Sequence, residues 1–416
     1  MKKTAEFNIY PFLGKGFTCP VCSRKHFIPT RKLVMEKGAV SALPGVASAL
    51  VKGGKLLVLC DNNTYGAAGE RCAEVLGERY RVSTLVLSAG KGKKVHADER
   101  YLAGILKRLK DKDALITAGA GSITDMGKYA ADRLKVPVIS FPTAPSMNAY
   151  TSGVAAFISG GLKKTVPVEP AAGVVTDLDV ISRAPLDLLK SGFADSMAKS
   201  FANADWRISS LFTGEDFCML PFRITTAAEK RYINRGKKLL ERDEKSVSGL
   251  MDGLNLGGFS MVIAGNSSPA SGGEHLISHL LDMVAHSRGR EPFAYHGLQV
   301  GLGTIVSAVI YEELKSLSGR AVAARLKRGR ADCGEKLAWL AQENFDVTEE
   351  FGKKAPLLEK MRGDLPSMWE RIREEAFVLV PPAGKLKTAL KKAGCPLSFA
   401  EIGVDRKEAL LSLIHI

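Results

Sequence analysis

From about residue 50 the chain alternates strand-like and helix-like segments almost without a break, and that rhythm limits the possible folds more than any other feature. KLLVLCD (55–61) is a run of buried-strand residues ending on an acid, and GAAGERCAEVLGE (66–78) reads as a helix. VSTLVLS (82–88) and ADERYLAGILKRLK (97–110) repeat the pair. DALITAG (113–119) then leads into the helix AGSITDMGKYAADRL (120–134), and VPVISFP (136–142) is a fourth strand. Strands separated by helices pair in parallel through right-handed crossovers. The expected class is therefore α/β, with an N-terminal Rossmann-like, doubly wound parallel sheet.

VAAFISGGLKKTVPV (154–168) interrupts the rhythm: two apolar runs around SGG read as a hairpin. VVTDLDV (174–180) reads as a last strand. After roughly residue 184 long amphipathic segments replace the strand signals, so the C-terminal part is expected to be all-helical. A chain of 416 residues exceeds one simple core. Two domains are expected, 1–183 and 184–416.

Composition narrows the function classes. The chain is 45% hydrophobic and 25% charged, with no apolar run of roughly 18 residues or more, so no transmembrane helix or stable membrane insertion is expected. The start has a basic tip but no apolar stretch of signal-peptide length. Seven cysteines, an odd number, point to reduced thiols and a cytoplasmic protein. Lys+Arg 59 against Asp+Glu 44 leaves +15. The densest basic stretch, GRAVAARLKRGR (319–330), reads as a solvated helix face. Without interleaved aromatic residues it offers no stacking platform, so nucleic acid is not an expected partner. The excess charge favours phosphorylated ligands instead.

TAGAGSITD (117–125) joins a strand to a helix. The first amides of a helix are unpaired and its dipole favours negative charge, so a diphosphate fits there. Gly119 and Gly121 would let the backbone approach the phosphates, and Ser122 adds a hydroxyl. A plain tight turn is the competing reading, because the pattern is not G-x-G-x-x-G. Asp61, ending the first strand, could accept from a ribose hydroxyl and would repel a 2′-phosphate; an Asp-Asn-Asn turn is the alternative. FPTAPSMNAYTS (141–152) follows the fourth strand, where open parallel sheets bind ligands, and is dense in hydroxyl groups.

SGGEHLISHLLDM (271–283) puts His275 and His279 four apart, on one face of a helix. Two satisfied core histidines would explain this as well as a metal site does. Glu274 precedes His275, so the segment is not the H-E-x-x-H of a zinc protease. Asp195 in GFADSMAKS and His296 in AYHGLQVG supply a carboxylate and a further imidazole, a set that suits a divalent ion with positions left open. FTCPVCSRKH holds three of the four ligands a zinc site needs, Cys19, Cys22 and His26. Cys60 or Cys72 would have to complete it; ordinary loop thiols are the alternative.

In order along the chain, AGAGSITD, PTAPSM-x-x-Y-T-S, VVTDLDVISRAP, GFADSMAKS, SGGEHLISHLLDM and HGLQVGLGT resemble the sn-glycerol-1-phosphate dehydrogenases, in particular the bacterial AraM type. These belong to the superfamily of iron-containing alcohol dehydrogenases and dehydroquinate synthases. The resemblance covers about residues 30–310. It implies the dehydroquinate synthase-like fold with the active site between the domains, and reduction of dihydroxyacetone phosphate with NADH or NADPH. It places the ligands of one divalent metal (Zn, Ni or Fe) on Asp195, His275 and His296. A substrate-contacting, catalytic histidine falls on His279, and Asp195 also borders the substrate. Cofactor contacts fall on Gly121, Ser122, Ile123, Thr124 and Asp125, on Thr143, Ala144, Pro145 and Ser146, and on Ser152. A homodimer or larger assembly is a family expectation.

One position departs from the pattern. Where the family has a substrate-contacting, catalytic aspartate and then glycine after T-A-P-S-M, this chain has Asn148 and Ala149. Asparagine keeps size and hydrogen bonding but carries no charge and moves no proton. A different polyol or phosphorylated ketone is therefore an alternative substrate. A dehydroquinate synthase-like lyase is a further one, though it calls for more basic residues around the site than the sequence places there.

Overall fold

The computed structural model describes residues 7–328, 338, 341–342 and 348–413. A short antiparallel hairpin, β1 (Gly16–Thr18) and β2 (Lys25–Phe27), opens the chain. Six parallel strands then build one sheet: β3 (Lys32–Glu36), β4 (Lys55–Asp61), β5 (Arg81–Leu87), β6 (Ala114–Gly119), β7 (Val138–Pro142) and, after an antiparallel hairpin of β8 (Val154–Ser159) and β9 (Leu162–Pro167), β10 (Gly173–Asp177). The order across the sheet is β3-β10-β7-β6-β4-β5. The winding reverses between β4 and β6, and the crevice beyond their carboxyl ends is where such sheets bind ligands.

The central strands are buried on both faces, which is why KLLVLCD and DALITAG read as continuous apolar runs and not as alternation. One face is covered by α1 (Leu43–Leu50) and α2 (Glu70–Gly77), through Leu43, Val46, Cys72 and Val75. The other is covered by α3 (Leu102–Leu109) and α4 (Gly121–Leu134), through Leu102, Ile105, Met126 and Ala130. The 154–168 hairpin turns through Gly160 and Gly161, both at positive φ (58° and 78°), a pair of conformations that only glycine adopts cheaply.

Three segments differ from the sequence reading. VVTDLDV is not one strand: β10 ends at Asp177, whose carboxylate caps α5 (Leu178–Arg183) by accepting from Asp179 N and also accepts from Gly38 N and Val40 N. The helix expected over 66–78 starts earlier and is broken: a turn at Asn62–Thr64 capped by Asp61, a π-turn at Tyr65–Gly69, then α2. Strand β3 carries no clear sequence signal, because KLVME is a short, half-exposed edge strand between charges.

Among the described residues, everything after Asp177 is helical: α6 (Leu186–Ser196), α7 (Lys199–Thr213), α8 (Leu220–Glu229), α9 (Glu244–Ala264), α10 (Gly273–Ser287), α11 (His296–Ser316), α12 (Gly319–Arg328), α13 (Thr348–Glu375), α14 (Ala383–Lys392) and α15 (Arg406–Leu413), with short turns between. α9 has the length and hydropathy of a membrane span, yet 83% of its apolar window is buried inside the fold. It is the central helix of this half. Of the basic stretch 319–330, α12 keeps Val322 buried and Arg320 and Arg325 exposed, while residues 329–330 lie outside the described residues. The N-terminal hairpin packs not on the sheet but on the helices, with Ile9, Phe17 and Ile28 against Trp206, Leu220 and Phe259. The chain then crosses back to the sheet, where Arg31 N donates to Ala172 O at 2.8 Å.

Candidate active site

Three helices bring the predicted metal ligands together. Asp195 stands at the last turn of α6, His275 in the first turn of α10, and His296 at the first position of α11. One ligand atom from each lies within 4.8 Å of the other two. The His275 Nε2 is 3.2 Å from Asp195 Oδ1, but this oxygen, buried and polar, has no aligned hydrogen-bond partner. Two donor atoms side by side, neither directed at the other, are what ligands of a shared ion look like. Near-tetrahedral coordination at ~2.1 Å separates such atoms by about 3.4 Å.

The surroundings fix the ligands' tautomers. His275 Nδ1 is 2.8 Å from Glu274 Oε1, so a proton on Nδ1 leaves the Nε2 lone pair free toward Asp195. His296 Nδ1 is 3.1 Å from the Ser278 hydroxyl. Glu274 is held in turn by Gly272 N at 2.8 Å. Behind it lies Asp205, which accepts from Gly273 N and from the Tyr311 hydroxyl. Burial, and then the neighbouring charge of Glu274, push Asp205 up to about 7. Burial works against ionisation of Asp195, but Lys199 and His275 outweigh it and hold the carboxyl below the usual carboxylate range. Burial and the charge of His275 push His296 down to about 4, leaving a neutral imidazole. Burial works against the charged form of His275, but Asp195 and Glu274 outweigh it and raise its pKa, so a cation would have to displace the Nε2 proton; with that proton gone, one carboxylate and two imidazoles fit a divalent ion.

His279, one turn beyond His275, is outside that group of ligand atoms. Its ring centre is 6.2 Å from that of His275 and 5.9 Å from that of His296. Burial, and then the neighbouring His296 and Lys163, push its pKa well down, so it is a neutral ring able to donate one proton. Asn148 lies beyond the carboxyl end of β7, buried, with an unpartnered Nδ2. A Cβ on Gly257 would sit 3.5 Å from Asn148 Nδ2 and 3.7 Å from Lys199 Cε, which puts the amide and the lysine stem around one small space.

Two cations here were not singled out from the sequence. Lys199, buried at the start of α7, places its Nζ 3.3 Å from Asp195 Oδ2 and 3.3 Å from Ala270 O. Its spacing of four from Asp195 was a usable signal. Lys163 reaches from β9 to Asp282 on α10 at 3.4 Å. No sequence pattern links a hairpin residue to a helix more than a hundred positions on.

On the sheet side, α4 begins at Gly121 directly after β6, and no side chain caps it, so the amides of Gly121, Ser122 and Ile123 remain available to an anion. The glycines here have packing reasons of their own. A Cβ on Gly119 would run into Ile123, and one on Gly121 would overlap the Met147 sulfur. Thr124 caps back onto Ala120 O at 3.1 Å. Asp125 is buried in the second turn, 3.3 Å from Lys128 Nζ. Lys128, also unforeseen, is fully buried and donates to Ala149 O, Ser152 O, Ser152 Oγ and Val154 O. It thereby anchors the 143–152 loop from below.

The same loop is also held by the end of β6 and by the helices. Thr143 N donates to Gly119 O, Ser146 O accepts from Ser191 Oγ, and Thr151 Oγ1 donates to Asn255 O at 2.7 Å. Ala144 O accepts from the buried Tyr150 hydroxyl, and Pro145 O packs onto Gly192 of α6, where a side chain would collide. Asp61 flanks the crevice at the end of β4, with Oδ1 accepting from Asn63 N and Thr64 N. Far from both, Cys19, Cys22 and His26 do meet a fourth ligand, but it is Cys218. Cys60 and Cys72, the candidates from sequence, are buried in the sheet core.

Comparison with known proteins bears on the fold and the family. Residues 34–185 match the iron-containing alcohol dehydrogenase family. A glycerol-1-phosphate dehydrogenase [NAD(P)+] of Bacillus licheniformis is 35% identical over 299 residues, 71% of this chain and 74% of the relative. One of Bacillus subtilis is 32% identical over 86% of this chain and 81% of its own length. Among solved structures, a probable glycerol dehydrogenase from Sinorhizobium meliloti superposes with a TM-score of 0.61 at 16% identity, covering 92% of this chain and 89% of that one. At such identity the likeness is one of fold.

Proposed function

The chain belongs to the glycerol-1-phosphate dehydrogenase family, and from that premise we propose that it is an NAD(P)-dependent oxidoreductase reducing dihydroxyacetone phosphate to sn-glycerol 1-phosphate, with one divalent metal ion. The observation that carries the metal is the meeting of Asp195, His275 and His296, with Nδ1 of His275 engaged by Glu274. Zn²⁺, Ni²⁺ and Fe²⁺ all suit those ligands. We divide the roles at residues 183/184, nucleotide before and metal and substrate after.

When bound, the ion supplies Lewis acidity to the ketone oxygen and the nicotinamide supplies hydride. The protein's own groups do the rest. The α4 amides and the 143–152 loop hold the cofactor at the carboxyl edge of the sheet. Lys199 and Lys163 give the cleft a positive field for a phosphorylated substrate. Neutral His279 donates a hydrogen bond to the developing alkoxide, or relays a proton that its second ring nitrogen takes up from solvent as the first gives one up. Asn148 offers its free amide N–H to a substrate oxygen, where an aspartate could only accept. That difference supports a second reading, a related polyol or phosphorylated ketone as the preferred substrate.

A steady-state assay with dihydroxyacetone phosphate and NADH or NADPH, before and after chelation, tests the proposal. Chelation abolishes turnover, Zn²⁺ or Ni²⁺ restores it, and His275→Ala behaves like the stripped enzyme. Undiminished turnover in His275→Ala removes the metal assignment. Turnover with other phosphorylated ketones alone would shift the reading to the second substrate class.

A further inference from the structure

We propose that Cys19, Cys22, His26 and Cys218 form a second metal site, a tetrahedral Zn²⁺ centre that staples the N-terminal hairpin to the helices behind the active site. The four ligand atoms lie within 4.8 Å of one another. Cys19 Sγ is 3.7 Å from Cys218 Sγ, and Cys22 Sγ is 3.3 Å from His26 Nε2. A tetrahedral zinc with Zn–S of ~2.3 Å and Zn–N of ~2.0–2.1 Å sets sulfurs about 3.8 Å apart and sulfur from nitrogen about 3.6 Å apart. The protein holds both spacings to within a few tenths of an ångström.

The local backbone is shaped for thiolates. Cys19 follows β1, Cys22 sits in the turn, and His26 is on β2, with Cys19 N bonded to Arg24 O and Ser23 N to Cys19 O. Ser23 takes φ 59°, closing a tight turn that folds the Cys-x-x-Cys back on itself. The amides of Val21 and Leu220, each two residues past a cysteine, point at Cys19 Sγ and Cys218 Sγ at 3.4 Å. Zinc binding would hold all three cysteines as thiolates and release whatever thiol protons they still carry. With a neutral imidazole the loaded centre carries one net negative charge, near the Arg24 guanidinium, which pairs with Asp216 and donates to Phe217 O at 3.1 Å. Ordinary core cysteines do not need the convergence of four ligands from two distant segments.

The centre would join residues 199 positions apart. Cys218 leads into α8, and the hairpin lies against Phe259 of α9, the helix whose Gly257 faces Asn148 and Lys199. Its role is to brace the back of that wall, independently of the catalytic ion.

The test replaces bound metal with Co²⁺ in the full-length protein, in a His275→Ala background so that the catalytic ligands do not compete. We expect one equivalent of Co²⁺ with thiolate-to-metal charge transfer and the intense visible bands of a tetrahedral site. We also expect a mercurial reagent to release one Zn²⁺ per chain from the protein as isolated. Cys22→Ala, at a half-buried position, should stay folded, lose the thiolate signature and retain less than a tenth of an equivalent of zinc. Absence of thiolate charge transfer, unchanged zinc content in folded Cys22→Ala, or a Cys19–Cys218 disulfide in the isolated protein would overturn the proposal.

Discussion

Lys199 gives the sharpest electrostatic test, because it and the catalytic ion compete for the same carboxylate. Its Nζ lies 3.3 Å from Asp195 Oδ2, and both residues are at most 4% exposed. At an effective dielectric constant of about 20 that attraction is on the order of 5 kcal/mol. Removing one partner of a buried pair costs about 3–5 kcal/mol, since the other charge is stranded. Lys199→Met keeps the stem and deletes the charge. With unfolding entropy of roughly 2.1 cal/mol/K per residue over 416 residues, the metal-stripped variant should melt about 3–6 °C below the stripped wild type. A bound divalent cation neutralises Asp195 in place of the lysine, so the deficit should shrink on loading. If half of it is recovered, the variant binds the ion roughly 30-fold more tightly than wild type, while turnover falls. Scanning calorimetry with and without Zn²⁺, plus competitive titration, measures both quantities; any contribution of the cysteine centre cancels between the two proteins. Equal melting deficits in stripped and loaded protein, with unchanged metal affinity, would refute the reasoning.

Asn148→Asp should raise kcat/KM for dihydroxyacetone phosphate if the free amide sets substrate preference; an unchanged steady-state value places the side chain away from substrate. Gly121→Ala should cost about 1–3 kcal/mol and weaken cofactor binding, because the new methyl meets the Met147 sulfur. Adding Met147→Ala should recover most of the loss, and failure to do so in denaturant titrations would place the strain elsewhere. Burial pushes Glu229 up to about 7, above its ordinary range. The folded protein therefore binds the extra proton, and stability falls as pH rises from about 4.5 to 7. Glu229→Gln should match wild type near pH 5 and melt higher at pH 8; parallel melting curves across that range would contradict the assignment.

The parts of the fold legible in the sequence are those written in local periodicity. Buried strands such as Leu56–Cys60 and the glycine-turned 154–167 hairpin stand out because every residue, or every second one, faces apolar surroundings. β3 did not, since an edge strand is neither buried nor strictly alternating. The break at Asp177 was hidden because an acid ending a strand and one opening a helix look alike until its partners, Gly38 and Val40, are known. The metal-binding residue types were legible in the sequence, but their assignment to one site came only by resemblance. Asp195, His275 and His296 come from three helices, and no spacing rule connects residues 80 positions apart. The supporting shell was less visible still. Glu274 reads only as the wrong neighbour for a zinc protease, and nothing in the sequence singles out Lys128 or Cys218. Each acquires its role from a contact that exists only once the chain is folded.

The path of the N-terminus has a mechanical consequence. The polypeptide passes between the helical half and the sheet twice: once where it leaves β2 and enters β3, and once where it leaves β10 through α5. These passages lie at opposite ends of two adjacent parallel strands of five residues, roughly 16 Å apart. Two covalent tethers leave a pair of bodies a single easy rotation, about the line through both. That line runs along the β3–β10 margin like the pin of a door, so a substrate-driven swing would displace the opposite margin, at β5, farthest and the tethers themselves least.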